Sequence, residues 1–248
     1  MLIAISMYVR RRVEESPSFI DLKASGNVAK TPIRDALTHH PKQIFAVFAM
    51  AGGNTVLFYT CITLSIAFLT NQVGLGDNEA LIVNLVFLGS ASVSVLAIGP
   101  LGDRLGRRTI LLSGAIAAMV MAFPLFWLYG TGSMAVVLPT AAVMGFIEGG
   151  LLYSIQPAYF GELFPTKYRL AGMNLGYQAA TLAIGSTAPI LGVLMLDWAG
   201  DDPWIFCLYL IAIQALAVVG ALVAGETLPR DTEDAAGGAG VPRQSIAT

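Results

Sequence analysis

Long, predominantly apolar runs occur at six places in this chain, with polar residues gathered between them. They cover roughly Gln43–Leu69, Ala80–Pro100, Thr109–Tyr129, Met134–Tyr159, Leu170–Leu196 and Trp204–Ala224. A helix needs about 20 mainly apolar residues to cross the hydrocarbon core of a bilayer. The runs are too long and too weakly alternating for barrel strands, and backbone groups in lipid must be satisfied within their own segment. The pattern predicts an all-α membrane protein with a six-helix transmembrane domain over residues 43–225. A polar segment precedes it over 1–42, and a tail follows over 226–248.

The polar segment has structure of its own to offer. Its apolar start, Met1–Val9, stands before Arg10, Arg11 and Arg12, whereas a signal peptide puts its charge ahead of its apolar core. It reads as the end of a preceding helix. Thr31-Pro32 supplies an N-cap and a first-turn proline for a short helix that His39-His40-Pro41 would end. Ile33, Ala36 and Leu37 share one face of it, which places this helix along the membrane surface. The Gly/Ala-rich tail lacks material for a core and is expected to be disordered.

Composition agrees with the pattern: 56% of residues are hydrophobic and 12% charged, outside the range of a soluble globular domain. Charge adds orientation. All 14 basic residues fall on one side of a six-span arrangement, before the first run, after the second, after the fourth or after the sixth. The opposite loops hold Asp77, Glu79, Asp197, Asp201 and Asp202, and Trp127, Trp198 and Trp204 lie near that side. Lys and Arg are retained in the cytoplasm and tryptophans collect at the interfaces. The expectation is a multi-pass protein of the cell membrane with both termini cytoplasmic. Cys61 and Cys207 fall inside spans and read as packing residues, not a disulfide. His39 and His40 are adjacent, not spaced for joint ligation, so no metal is expected. No cofactor and no nucleic-acid partner are implied.

Glycine spacing carries more than charge. The loop after the second run reads Gly99-Pro-Leu-Gly-Asp103-Arg104-Leu-Gly106-Arg107-Arg108. Retention of basic loops requires neither this spacing nor Asp103. Glycines suit a tight backbone between two helices, and the acid suits a helix N-terminus. The loop matches throughout the GxxxD(R/K)xGR(R/K) signature, and the chain resembles the major facilitator superfamily of solute transporters. Between the fourth and fifth runs, Glu162 followed by Arg169 resembles the acid and arginine that partner this signature in that family. The segments Val9–Phe19 and Glu162–Gln178 are similar to the metabolite:proton symporter branch, which carries organic acids and betaines. Glu226-Thr227 is similar to an acid-threonine pair after the final helix.

The resemblance implies half of a major facilitator fold: the C-terminal six helices, arranged as two inverted three-helix repeats. It implies a cytoplasmic gating network of Glu162 and Arg169 with Asp103, Arg104 and Arg108. Pairs made in one conformation and broken in another shift a balance by their differential energy. Exposed salt bridges contribute about 0 to 1 kcal/mol each, so such a latch needs cooperativity or partial burial. What departs from the family is the missing N-terminal half. The partners implied are therefore lipid, a small solute, protons, and either a complementary six-helix half or a second copy; an inactive truncation is the remaining option.

Substrate in such folds sits near the midplane, at the interface of the repeats. Glu148 is the one acid near the centre of a run. An ionisable group there is costly unless it faces a cavity or a partner, which makes Glu148 a proton-coupling candidate or a hydrogen-bonded structural group. Asn54 and Tyr59, beside Gly52-Gly53, offer either ligand contacts or interhelical bonds, and Gln156, Tyr177 and Gln178 are weaker candidates. Gly145, Gly149 and Gly150 with Gly172, Gly176, Ala180 and Gly185 form small-residue faces, for static packing or for sliding. Pro124, Pro157 and Pro189 are positioned to bend their helices. HExxH, GxSxG and P-loop patterns are absent, so an enzyme is not expected. The reading is a proton-coupled transporter of a small organic acid, betaine or related metabolite; the alternative is a non-transporting membrane binding or assembly protein.

Overall fold

The computed structural model describes residues 32–227. Thr31, the apolar start, the Arg10 to Arg12 run, the Val9–Phe19 stretch and most of the tail lie outside the described residues. A short helix, α1 (Pro32–His39), leads into six spans: α2 (Pro41–Asn71), α3 (Asp77–Leu105), α4 (Arg107–Tyr129), α5 (Met134–Glu162), α6 (Arg169–Trp198) and α7 (Trp204–Ala224). Among the described residues there is no strand. In α1, Ala36 is buried while Ile33 and Leu37 are exposed. His39 stacks on Tyr168 with ring centroids 6.3 Å apart, which ties α1 to the start of α6.

The connections are tight. One residue, Gly106, separates α3 from α4, and its φ of 100° lies where a side chain is disfavoured. The turns after α2, α4 and α6 use Gly74, Gly132 and Gly200, also at positive φ.

Three spans are not uniform α-helix. Wider, π-helical segments occupy Thr60–Leu64 in α2, Phe146–Tyr153 in α5 and Thr181–Gly185 in α6. Two have a cause in the sequence. A proline removes the hydrogen bond to the carbonyl four residues earlier and clashes with it. For Pro157 that carbonyl belongs to Tyr153, and for Pro189 to Gly185, the last residue of the wide segment in each case. The chain accommodates the ring with i to i+5 bonds, Ser154 N–H to Gly149 O at 2.9 Å and Ser186 N–H to Thr181 O at 2.7 Å. Pro124 has no such effect: α4 stays α-helical throughout.

Side chains from neighbouring spans support the backbone. Asn84 of α3 donates to the carbonyl of Ile62 inside the wide segment of α2 (2.9 Å), and Ser90 donates to Ala142 O in α5 (2.6 Å). Gln214 of α7 donates to Gly53 O in α2 (2.8 Å). Without water, a donor on a helix carbonyl is a natural use for a buried amide or hydroxyl.

The packing is reciprocal. The first helix of the first repeat, α2, packs most extensively on α7 and α6; the first helix of the second, α5, packs on α3 and α4. A repeat of three spans is odd, so the second copy begins on the opposite face and is inverted. Each repeat thus lends its first helix to the other, with α4 and α7 in contact behind them. Span α2 is the most enclosed, with 72% of its apolar stretch buried against 22% for α3. Close approach of α5 to α3 depends on small residues: a Cβ on Gly149 would lie 2.5 Å from Ala91 O. The small-residue face of α5 is therefore in backbone contact.

Candidate functional site

A cavity of about 400 Å³ opens between α2, α3, α5 and α6, bordered by part of the wide segment of α5 and the first residue of that in α6. Asn54 and Tyr59 line it from α2, Glu148 from α5, and Tyr177 from α6. The structure therefore brings together four of the polar residues singled out in the spans, Asn54, Tyr59, Glu148 and Tyr177. Glu148 lies inside the π-helical segment and is 5% exposed. It is the only Asp or Glu among the described residues away from a helix end. Asn54 is 3% exposed, and its Oδ1 has no hydrogen-bond partner.

Gln156 does not join them. It is buried, where α5 resumes after the break, and neither of its amide atoms has a protein partner. Gln178 is exposed. In their place the cavity adds Phe58, Tyr153, Ser92 and Thr181. Tyr153 stands five residues after Glu148. An α-helix turns positions i and i+5 away from each other, whereas a π-helical turn brings them to one side. The signal that could have found it is Pro157, four residues further on.

A larger cavity of about 830 Å³ opens at the tryptophan-bearing end between α4 and α7, walled by Phe123, Trp127 and Trp204. None of the candidate residues lines it, so the chemistry belongs to the smaller one.

At the basic end the loop between α3 and α4 forms a second constellation. The Arg107 guanidinium bridges two carboxylates, Asp103 at 3.0 Å and Glu162 at 2.5 Å. Its side chain is only 12% exposed, whereas Asp103 and Glu162 are 64% and 37% exposed, so the arginine is withdrawn from water and its two partners are not. The basic partner differs from the one expected: Arg107, not Arg104 or Arg108, joins Asp103 to Glu162. The turn at Gly106 makes Arg107 the first residue of α4, facing α5. Arg104 points into solvent, the buried Nε of Arg108 has no hydrogen-bond partner, and the stem of Arg169 runs past Gly161. Gly99 borders open space.

The end of α7 fastens onto the same place. Thr227 donates its hydroxyl to Glu162 (2.5 Å), and Tyr159 donates to the carbonyl of Gly225. The Glu226 carboxylate rests against Gly106, where an added Cβ would lie 2.6 Å from its Oε2. Gly106 is held to glycine by its φ, whereas the Glu226 carboxylate is the end of a flexible side chain that can shift aside.

Comparison with known proteins gives a consistent picture. Residues 1–246 match the profile of the Major Facilitator Superfamily. The chain is 30% identical over 235 residues to the inner membrane metabolite transport protein YhjE of Escherichia coli K12, covering 92% of this chain and 52% of that protein. It is 25% identical over 227 residues to the ectoine/proline transporter ProP of Corynebacterium glutamicum, covering 87% and 45%. It is also 25% identical over 202 residues to the citrate-proton symporter of Klebsiella pneumoniae, covering 81% and 45%. The chain spans about half the length of the curated relatives it matches. No solved structure gives a significant match.

Proposed function

The chain belongs to the Major Facilitator Superfamily, and from that premise we propose that it is one half of a proton-coupled solute transporter working by alternating access. It is a multi-pass membrane protein and not an enzyme. Its cargo, on this reading, is a small organic acid, betaine or related metabolite, the range named for its relatives. The observation that carries the proposal is the convergence of Asn54, Tyr59 and Glu148 on one cavity from both repeats. A carboxyl group at membrane depth that opens on a cavity can carry a proton across a change of access, which is the functional default for such a residue.

The cavity has walls from α2, α3, α5 and α6 and a rim at Tyr153, which is 43% exposed. A solute pathway needs a wall on that side. A complementary six-helix half or a second copy of this chain supplies it. The basic end, with both termini, faces the cytoplasm, supported by the one-sided Lys and Arg.

The test is uptake. Reconstituted in proteoliposomes with an imposed proton gradient, the assembly accumulates solute, and Glu148→Gln reduces gradient-driven uptake at least roughly tenfold, as expected for removal of a group that must change charge. Undiminished coupled uptake by that variant would remove Glu148 from the mechanism. Binding without uptake would leave a membrane binding protein instead.

A further inference from the structure

We propose that the cavity receives an organic ammonium group, of the kind carried by amino-acid and betaine zwitterions, in preference to an organic acid without positive charge. This rests on the transport reading above and narrows its substrate class.

The lining carries a carboxyl group and four aromatic rings, and its Thr55, Ser92 and Thr181 hydroxyls already donate to the backbone carbonyls of Gly52, Leu88 and Tyr177, which leaves them as acceptors toward the cavity. Phe58, Tyr59, Tyr153 and Tyr177 contribute four aromatic rings from three spans, and Glu148 contributes a carboxyl group. Phe58 and Tyr59 stand edge to face at 5.7 Å and 86°, so they offer ring faces in two directions. Tyr177 and Tyr153 border the same cavity from α6 and α5. Asn54 adds a buried oxygen acceptor without a partner, 3% exposed. None of the described Lys, Arg or His residues lines the cavity.

Ring faces carry negative charge density and attract a cation, more strongly where water is excluded. The Asn54 oxygen accepts from an N–H of a primary or secondary ammonium group. An organic anion placed here would meet ring faces, a carboxyl group and an amide oxygen; neutral tyrosine hydroxyls and the Asn54 amide N–H are the donors left to it, with no described Lys, Arg or His in the lining to offset its desolvation. If Glu148 carries the coupled proton, it is neutral for part of the cycle. The rings then hold the cation in either state, since their attraction does not depend on that proton. The carboxylate end of a zwitterion finds no counter-charge among the described residues that line the cavity, so its recognition falls to the partner half.

The full chain in lipid nanodiscs is titrated with labelled proline and glycine betaine, and separately with citrate and shikimate. The expected result is saturable binding of the first pair and at least roughly tenfold weaker binding of the second. Tyr153→Phe and Tyr177→Phe keep the rings and bind within about twofold of the parent, whereas Tyr153→Leu and Tyr177→Leu weaken binding roughly tenfold, the scale of a desolvated cation on an aromatic face. The Phe variants show that the sites tolerate substitution, and unchanged thermal unfolding of the Leu variants excludes loss of fold. Preferential binding of citrate or shikimate overturns the proposal while leaving a transporter in place, as does full binding by the Leu variants. Absence of binding by either class, together with absence of proton-driven uptake, overturns both readings.

Discussion

Arg107 shows how much one position decides. It pairs with Asp103 and Glu162 while its guanidinium is largely withdrawn from water. Arg104, three residues earlier, is exposed and outside these pairs. Both substitutions to Ala remove one positive charge, so their difference reports the pairing together with the packing of the Arg107 stem. Arg107→Ala should destabilise the folded protein by about 1 kcal/mol or more in thermal unfolding, because it leaves two carboxylates facing each other, and Arg104→Ala by much less. Equal effects would mean that the bridge contributes nothing beyond charge. The choice between these arginines was not legible in the sequence, where the loop offers three equivalent guanidinium groups. What separates them is the single-residue turn at Gly106, which sets the rotation of α4 and hence which arginine meets α5. Glu148, Asn54 and Tyr59 were legible because a polar group in a long apolar run is costly wherever it lands. Tyr153 was hidden by an assumption of α-helical geometry.

At the scale of the element, the six spans match the apolar runs within a few residues, since bilayer thickness fixes their length. The wide segments are harder to read. Pro157 and Pro189 mark two of them, each four residues beyond the last wide residue, but Pro124 has the same chemistry and leaves α4 intact. The third, in α2, contains no proline and is supported by Asn84 on Ile62 O. It depends on a neighbour that the local sequence does not contain. Pro157→Ala restores an amide N–H able to bond with Tyr153 O, so the segment carrying Glu148 should tighten toward α-helix. The expected gain is about 1 kcal/mol of stability, read by thermal unfolding, accompanied by slower uptake as Glu148 and Tyr153 turn apart. A variant with unchanged stability and unchanged transport would show that the wide geometry has another cause.

For the whole molecule, the fold class and the number of crossings followed from hydropathy, whereas the exchange of first helices between repeats did not. Nothing in a linear apolar pattern says that α2 packs on α7 in preference to its neighbour α3. Orientation is testable at this scale. In cells, a cysteine in place of Asp103, in a background where Cys61 and Cys207 are replaced, should react with an impermeant thiol reagent only after the membrane is opened. Labelling of intact cells would place the basic end outside and reverse the direction of the proposed cycle.

The reciprocal packing also constrains biogenesis. Of these six spans α2 leaves the ribosome first, yet the spans it packs on most extensively, α6 and α7, are the last of the six to do so. Until α7 arrives, the Gly53 carbonyl lacks Gln214 and the small-residue side of α2 has lipid for company. Insertion and folding are therefore separate events for this helix: it enters the bilayer before the spans that enclose it, and assembly closes around it only after α6 and α7 have followed.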